Sequence, residues 1–183
     1  LPDQARVGGL VWVDSWRAAK ASQALRQIVA LDDHGRVEER AALEDAMARI
    51  VRTPTGLELT EEFIQAAGPA KISFECTGAN GDVVERKGSK TLQASGGQTN
   101  SSGAFPWVQL NRDYLQTSAD FRAPEVAATM AHELLGHGLV HYKAKAAGVV
   151  AVNDVYRNDE AYASLVGWIV SAEQGAKLKF PAG

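Results

Sequence analysis

The sequence predicts an α+β fold: an N-terminal helical hairpin, a small mostly antiparallel sheet, and two C-terminal helices that carry histidines and acids. Three observations carry that expectation. Residues 15–52 repeat apolar side chains at helical spacing, residues 71–110 form short alternating runs broken by Gly, Ser and Asn, and helical spacing returns after Pro124. At 183 residues with 45% hydrophobic content the chain is sized for one domain, 1–183, with 1–52 as a helical subregion and 53–183 as the main body.

Ser15 is placed to cap a first helix running to about Leu31, with Trp16, Ala19, Leu25, Ile28 and Val29 on an apolar stripe. After Asp32-Asp33-His34-Gly35 a second helix turns Val37, Leu43, Ala46, Met47 and Ile50 inward, and the two suggest a hairpin. The connection is not a calcium loop, because Ala30 and Ala41 stand where that loop needs oxygen ligands. Thr53-Pro54-Thr55-Gly56 reads as a turn, and Thr60-Glu61-Glu62-Phe63 opens a short helix to about Ala67.

Lys71 to Thr77 alternates like a strand, and Asn80-Gly81 is a hairpin turn into Asp82-Val83-Val84-Glu85. Thr91 to Ala94 forms a further strand, and Gly96 to Gly103 a flexible polar loop. Phe105 to Leu110 reads as a strand with Pro106 near its start or on a sheet edge. Pro124 begins the next helix, where its missing N–H costs little, with Val126, Ala127, Met130, Leu134 and Leu135 toward the core. That helix ends between Lys143 and Gly148, and a last apolar helix runs from Asp159 to about Gln174, capped by Asn158.

Composition removes several classes of function. A net charge of −3 gives no basic footprint for nucleic acid. The single cysteine, Cys76, excludes an intrachain disulfide framework and a cysteine-based zinc site. No run of apolar residues is long enough to span a membrane. The chain begins at Leu1, the expected mark of a processed form or an excised domain.

The chemistry concentrates in His132-Glu133-Leu134-Leu135-Gly136-His137. Of the 4 histidines, His132, His137 and His141 fall within ten residues. Two imidazoles and a carboxylate so close together offer neutral nitrogen ligands for Zn²⁺ and a base for water. On a regular α-helix residues five apart point about 140° away from each other, so His132 and His137 could not share an ion. One wide π-type turn removes that obstacle, and Gly136 sits where a residue without a β-carbon tolerates the distortion. A straight helix would instead align Glu133, His137 and His141, and a solvent-facing helix would use none of them for metal. Asp154, Asp159 and Glu160 are the downstream acids from which a third ligand could come.

The stretch His132 to His137 resembles the zinc motif of dipeptidyl peptidase III, in which the two histidines bind zinc at this longer spacing. Asp159-Glu160-Ala161-Tyr162-Ala163 resembles that family's second motif. The resemblance, shared with gluzincins generally, implies a zincin-type metal helix followed by a second ligand-bearing helix. It implies His132, His137 and Glu160 as ligands, and Asp159 as the acid that orients a ligand histidine. Residues 53–165 also look like the small NleD-type effector metallopeptidases of bacteria, although that family has the ordinary H-E-x-x-H spacing. That likeness implies a protein secreted by, or translocated from, a bacterium.

The function expected is a zinc-dependent endopeptidase acting on protein or peptide substrate, with Glu133 as general base. Tyr156, Tyr162 or His141 would stabilise the oxyanion, Tyr156 being favoured because its segment leads into Glu160. Trp107 to Leu110 is the strand expected to hold extended substrate. Two alternatives stand beside this: a zinc-dependent amide hydrolase acting on cell-wall material, and a metal-stabilised binding module without turnover.

Overall fold

Strands β1 (Gln4–Val7) and β2 (Leu10–Val13) pair antiparallel and lead into helix α1 (Ser15–Ile28). This computed structural model describes residues 4–7, 10–66, 68–75, 82–86, 88–93, 96–100, 103–148 and 153–175; for 4–7, 10–12, 82, 84, 86, 93 and 153–158 it describes the backbone alone. Asp14, not Ser15, caps α1: its carboxylate accepts the N–H groups of Trp16 and Arg17 at 2.8 and 3.1 Å. The helix stops at Ile28, because Val29–Asp32 leaves it to become strand β3.

That strand overturns the expected hairpin. Helix α2 (Val37–Ile50) follows β3 and packs against the later helix Ala119–Met130, whereas α1 packs against α3 (Pro54–Gln65). The apolar run from Ile28 to Leu31 suits either structure, and burial beside a neighbouring strand decides it. The Thr-Pro-Thr-Gly segment is the start of α3 rather than a free turn. Thr53 accepts the Gly56 N–H with its hydroxyl, and Pro54 takes the first helical position, where no donor is needed.

Strand β4 (Ala70–Glu75) pairs parallel with β3, so the chain must first return through α2 and α3. Strands β5 (Asp82–Arg86) and β6 (Ser89–Gln93) make a separate antiparallel ribbon, with Gly88 at φ 76° in its turn. The Asn80-Gly81 turn lies outside the described residues. Strand β7 (Gly97–Asn100) occupies what the polar composition suggested was loop, and β8 (Trp107–Asn111) follows it.

The main sheet runs β3-β4-β8-β7, and only its last pair is antiparallel. It is therefore mixed rather than mostly antiparallel. The face that holds Ile72, Phe74, Val108 and Leu110 is wholly enclosed, whereas Lys71, Glu75, Trp107 and Gln109 are half-exposed. Strand β8 also sits inside the sheet, paired on both sides, so Trp107 to Leu110 is not an edge that could receive a peptide. Position at the end of the sheet belongs to β7.

The remaining chain is helical. After a short 3₁₀ turn at Arg112–Gln116, α4 (Ala119–Met130) begins five residues before Pro124. The proline lies inside the helix and forgoes the bond that its N–H would have made to the Asp120 carbonyl. A π-helical segment, Ala131–Gly138, carries the rod into α5 (Leu139–Ala146). Helix α6 (Asn153–Glu173) starts six residues earlier than its acid-rich first turn suggested and packs along the π-helical segment. Phe63, Phe74, Leu110, Met130, Leu134, Leu135 and Leu139 join these elements in one core.

Candidate metal centre

The inserted residue of the histidine motif is absorbed as its spacing requires. Across Ala131–Gly138 the backbone adopts the wider π turn, which brings His132 and His137 to one side of the rod. Their rings meet edge to face with centroids 4.9 Å apart, and their Nε2 atoms are 3.2 Å apart.

Glu160, from α6, completes the group. Its carboxylate oxygens lie 3.2 Å from His137 Nε2 and 3.5 Å from His132 Nε2. A tetrahedral zinc with bonds of about 2.0–2.2 Å separates adjacent donors by about 3.3–3.5 Å. The separations between the two ring nitrogens and between His137 and Glu160 Oε2 fall close to that figure, the distance to His132 is made by the other carboxylate oxygen, Oε1, and the three residues are near enough to hold one metal ion. Among the described residues no other set of three His, Cys, Asp or Glu side chains does so.

Asp159 fixes the chemistry of one ring. Its Oδ2 lies 2.7 Å from His137 Nδ1, so that nitrogen carries the proton and Nε2 presents a lone pair toward His132 and Glu160. Asp159 is buried, and its Oδ1 has no hydrogen-bond partner. Burial alone would lower the pKa of His137. The Asp159 hydrogen bond and the nearby carboxylates outweigh it and hold that pKa above its ordinary value. At His132 burial prevails, helped by the neighbouring ring, and the pKa is lowered despite the charge of Glu160 and a backbone hydrogen bond at Ala163.

Close helix approach makes this convergence possible. A β-carbon on Gly136 would lie 2.5 Å from the Ala163 β-carbon, so the seam between the π-helical segment and α6 admits nothing larger than glycine there. Glu160, Ala163 and Gly167 recur at helical spacing on the face of α6 that meets this seam. The side chains of His132 and His137 are 20% and 17% exposed, while that of Glu160 is 62% exposed, so the group opens toward solvent on the Glu160 side.

Glu133 stands beside the group and is almost wholly buried. Its Oε1 is 3.8 Å from His132 Nε2, and its Oε2 accepts a 2.7 Å hydrogen bond from the Thr99 hydroxyl on β7. Burial pushes the Glu133 pKa up, and the Thr99 hydrogen bond only partly opposes it.

Other sequence-predicted residues fall elsewhere. The straight-helix set does not assemble: His141 packs edge to face on Tyr142, and its Nε2 is buried without a partner, apart from the group of three. Tyr162 packs against the main core. Tyr156 and Asp154 lie within α6, not in a loop before it, and their side chains fall outside the described residues. Sequence reasoning missed Thr99 altogether. A threonine in a Gly-Gln-Thr-Asn run gives no sign of the helix it will touch, and only recognising that run as a strand beside the motif could have found it. No protein-family model, curated protein or solved structure matches this chain, so the likeness to dipeptidyl peptidase III and to NleD-type effectors stays at the level of the quoted motifs.

Proposed function

We propose that this chain is a zinc-dependent endopeptidase, with His132, His137 and Glu160 holding the ion and Glu133 as general base. The single observation that supports this most is the convergence of His132, His137 and Glu160 within reach of one ion, with a buried carboxylate directly beside them. The donor set suits the ion: two neutral imidazoles and one carboxylate are a common catalytic zinc set and leave one position for water. When bound there, Zn²⁺ supplies Lewis acidity that activates a water and polarises a carbonyl.

The protein's own groups do the rest. Asp159 holds His137 in the tautomer whose Nε2 can ligate. Glu133 Oε1, on the side nearest the histidines, takes the proton of the water and returns one to the departing amine. Strand β7, at the end of the sheet beside the π-helical segment, is the strand along which an extended peptide would lie, which favours a peptide over other amides.

Glu133→Gln tests the reading. The native protein and the variant are both expected to bind one zinc per chain, while cleavage of a peptide library by the variant falls by about a hundredfold to ten-thousandfold. Unchanged turnover would remove Glu133 from the reaction, and a native protein that holds zinc but cleaves nothing would leave a binding module.

A further inference from the structure

We infer that Thr99 is a positioning residue for Glu133, holding the base through a side-chain bridge from β7. The inference rests on the hydrolase reading of the same site. The Thr99 hydroxyl oxygen lies 2.7 Å from Glu133 Oε2 and 3.0 Å from the main-chain carbonyl oxygen of the same residue. One hydroxyl thus contacts the carboxylate and the backbone from which it springs, and it pins the side chain against its own helix. The carbonyl involved belongs to the π-helical segment, where hydrogen bonds run to the fifth residue instead of the fourth.

The bridge divides the work of the two carboxylate oxygens. With Oε2 engaged by Thr99, Oε1 is the oxygen left on the His132 side, 3.8 Å from Nε2. A freely rotating carboxylate would spend part of its time with neither oxygen there, so the hydroxyl removes rotamer freedom from the proton acceptor. Strand β7 is built to come this close. Side chains two apart on a strand share a face, and Gly97 lies two residues before Thr99. A β-carbon on Gly97 would come within 3.0 Å of the Gln109 carbonyl oxygen and 3.1 Å of Thr129 Cγ2, and would touch Glu133 Cγ at 3.4 Å. The strand proposed to guide the substrate is therefore also the strand that aims the base.

The experiment compares native protein with Thr99→Val and Thr99→Ser, each loaded with zinc and assayed on a peptide the native protein cleaves. Valine keeps the branched shape without the hydroxyl, and serine keeps the hydroxyl without the branch. Thr99→Val is expected to bind zinc stoichiometrically, with KM within about twofold and kcat lowered by about tenfold to a hundredfold, the scale of one hydrogen bond to a charged group. Thr99→Ser is expected to recover to within about threefold of native kcat. Native kcat in Thr99→Val, or an equal loss in both variants, overturns the inference and leaves the hydrolase reading standing. Absence of cleavage by the native protein shows in the control and takes both down together. Should Thr99→Val not fold, Thr99→Ala against Thr99→Ser makes the same comparison, and equal turnover for that pair overturns the inference.

Discussion

Two clusters in this molecule combine histidine with carboxylates, and they are arranged to opposite ends. Around His34 both oxygens of Glu39 meet a donor. His34 Nδ1 lies 2.8 Å from Glu39 and Nε2 lies 3.1 Å from Glu75, while Arg36 donates to Glu39 at 2.7 Å and Arg112 approaches it at 3.4 Å. Glu39 is fully buried, yet its charge is compensated on each side. Around His137 one nitrogen is satisfied by Asp159, and the other faces His132 and Glu160. Among the described residues no arginine or lysine pairs with Glu133, Asp159 or Glu160. Histidine beside acid is thus no metal signature by itself. What sets the second cluster apart is two histidine Nε2 atoms only 3.2 Å from each other, with no arginine or lysine paired to the acids around them among the described residues.

The sharpest way to break the comparison is to remove one histidine from each cluster. His137→Ala is expected to lose stoichiometric zinc by elemental analysis, whereas His34→Asn, chosen because asparagine tolerates the left-handed φ of 49° at that position, keeps it in full. Equal zinc content in both variants would dissolve the distinction. A smaller effect is expected at Asp159, which orients His137 without joining the group of three. Asp159→Asn should weaken zinc affinity by about tenfold to a hundredfold, measured by competition with a chelator of known strength.

The smallest effect sharpens the His34 side through pH. The Glu39 hydrogen bond raises the His34 pKa above 6.5, with Asp32 and Glu75 adding to it. Burial would raise the pKa of Glu39, but His34, Arg36 and Arg112 outweigh it and hold it below 4.5. The contribution of a raised histidine is complete below its unfolded pKa and fades as pH climbs through the folded one. That of a depressed carboxylate is complete above its unfolded pKa and fades as pH falls through the folded one. Both are therefore present together between 4.5 and 6.5. In urea melts the stability difference between native protein and His34→Asn should be larger at about pH 5.5 than at about pH 8. A difference independent of pH would contradict that assignment.

Much of the site could be read from residue order, because its signal is local. His132, Glu133 and His137 fall in one short segment, and the extra residue between the histidines forces the wide turn that Ala131–Gly138 displays. The Asp159 contact was expected only from the resemblance of Asp159-Glu160-Ala161-Tyr162-Ala163 to a second zinc motif, and Gly136 was read for the wide turn rather than for the close seam that it also makes. What escaped detection depends on partners far along the chain. Val29–Asp32 continues an apolar helical stripe and becomes a strand only because β4 is there to receive it. Gly97–Asn100 has the composition of a loop, and its ladder with β8 makes it a strand. Glu39 looks like any acid in the first turn of a helix, and nothing nearby announces that it will be sealed under Arg36 and Arg112. The parallel pairing of the sheet was hidden for the same reason, since register between distant strands leaves no local period.

The group of three donors straddles two separate helices, two of them on the rod that begins at Ala119 and one on α6. An ion seated there would fasten together two helices that are far apart along the chain. Its grip then depends on the ambient free-ion level, adding roughly 2.7 kcal/mol when that level is a hundred times the dissociation constant. An ion bound there would make the docking of α6 on the π-helical segment depend on metal supply.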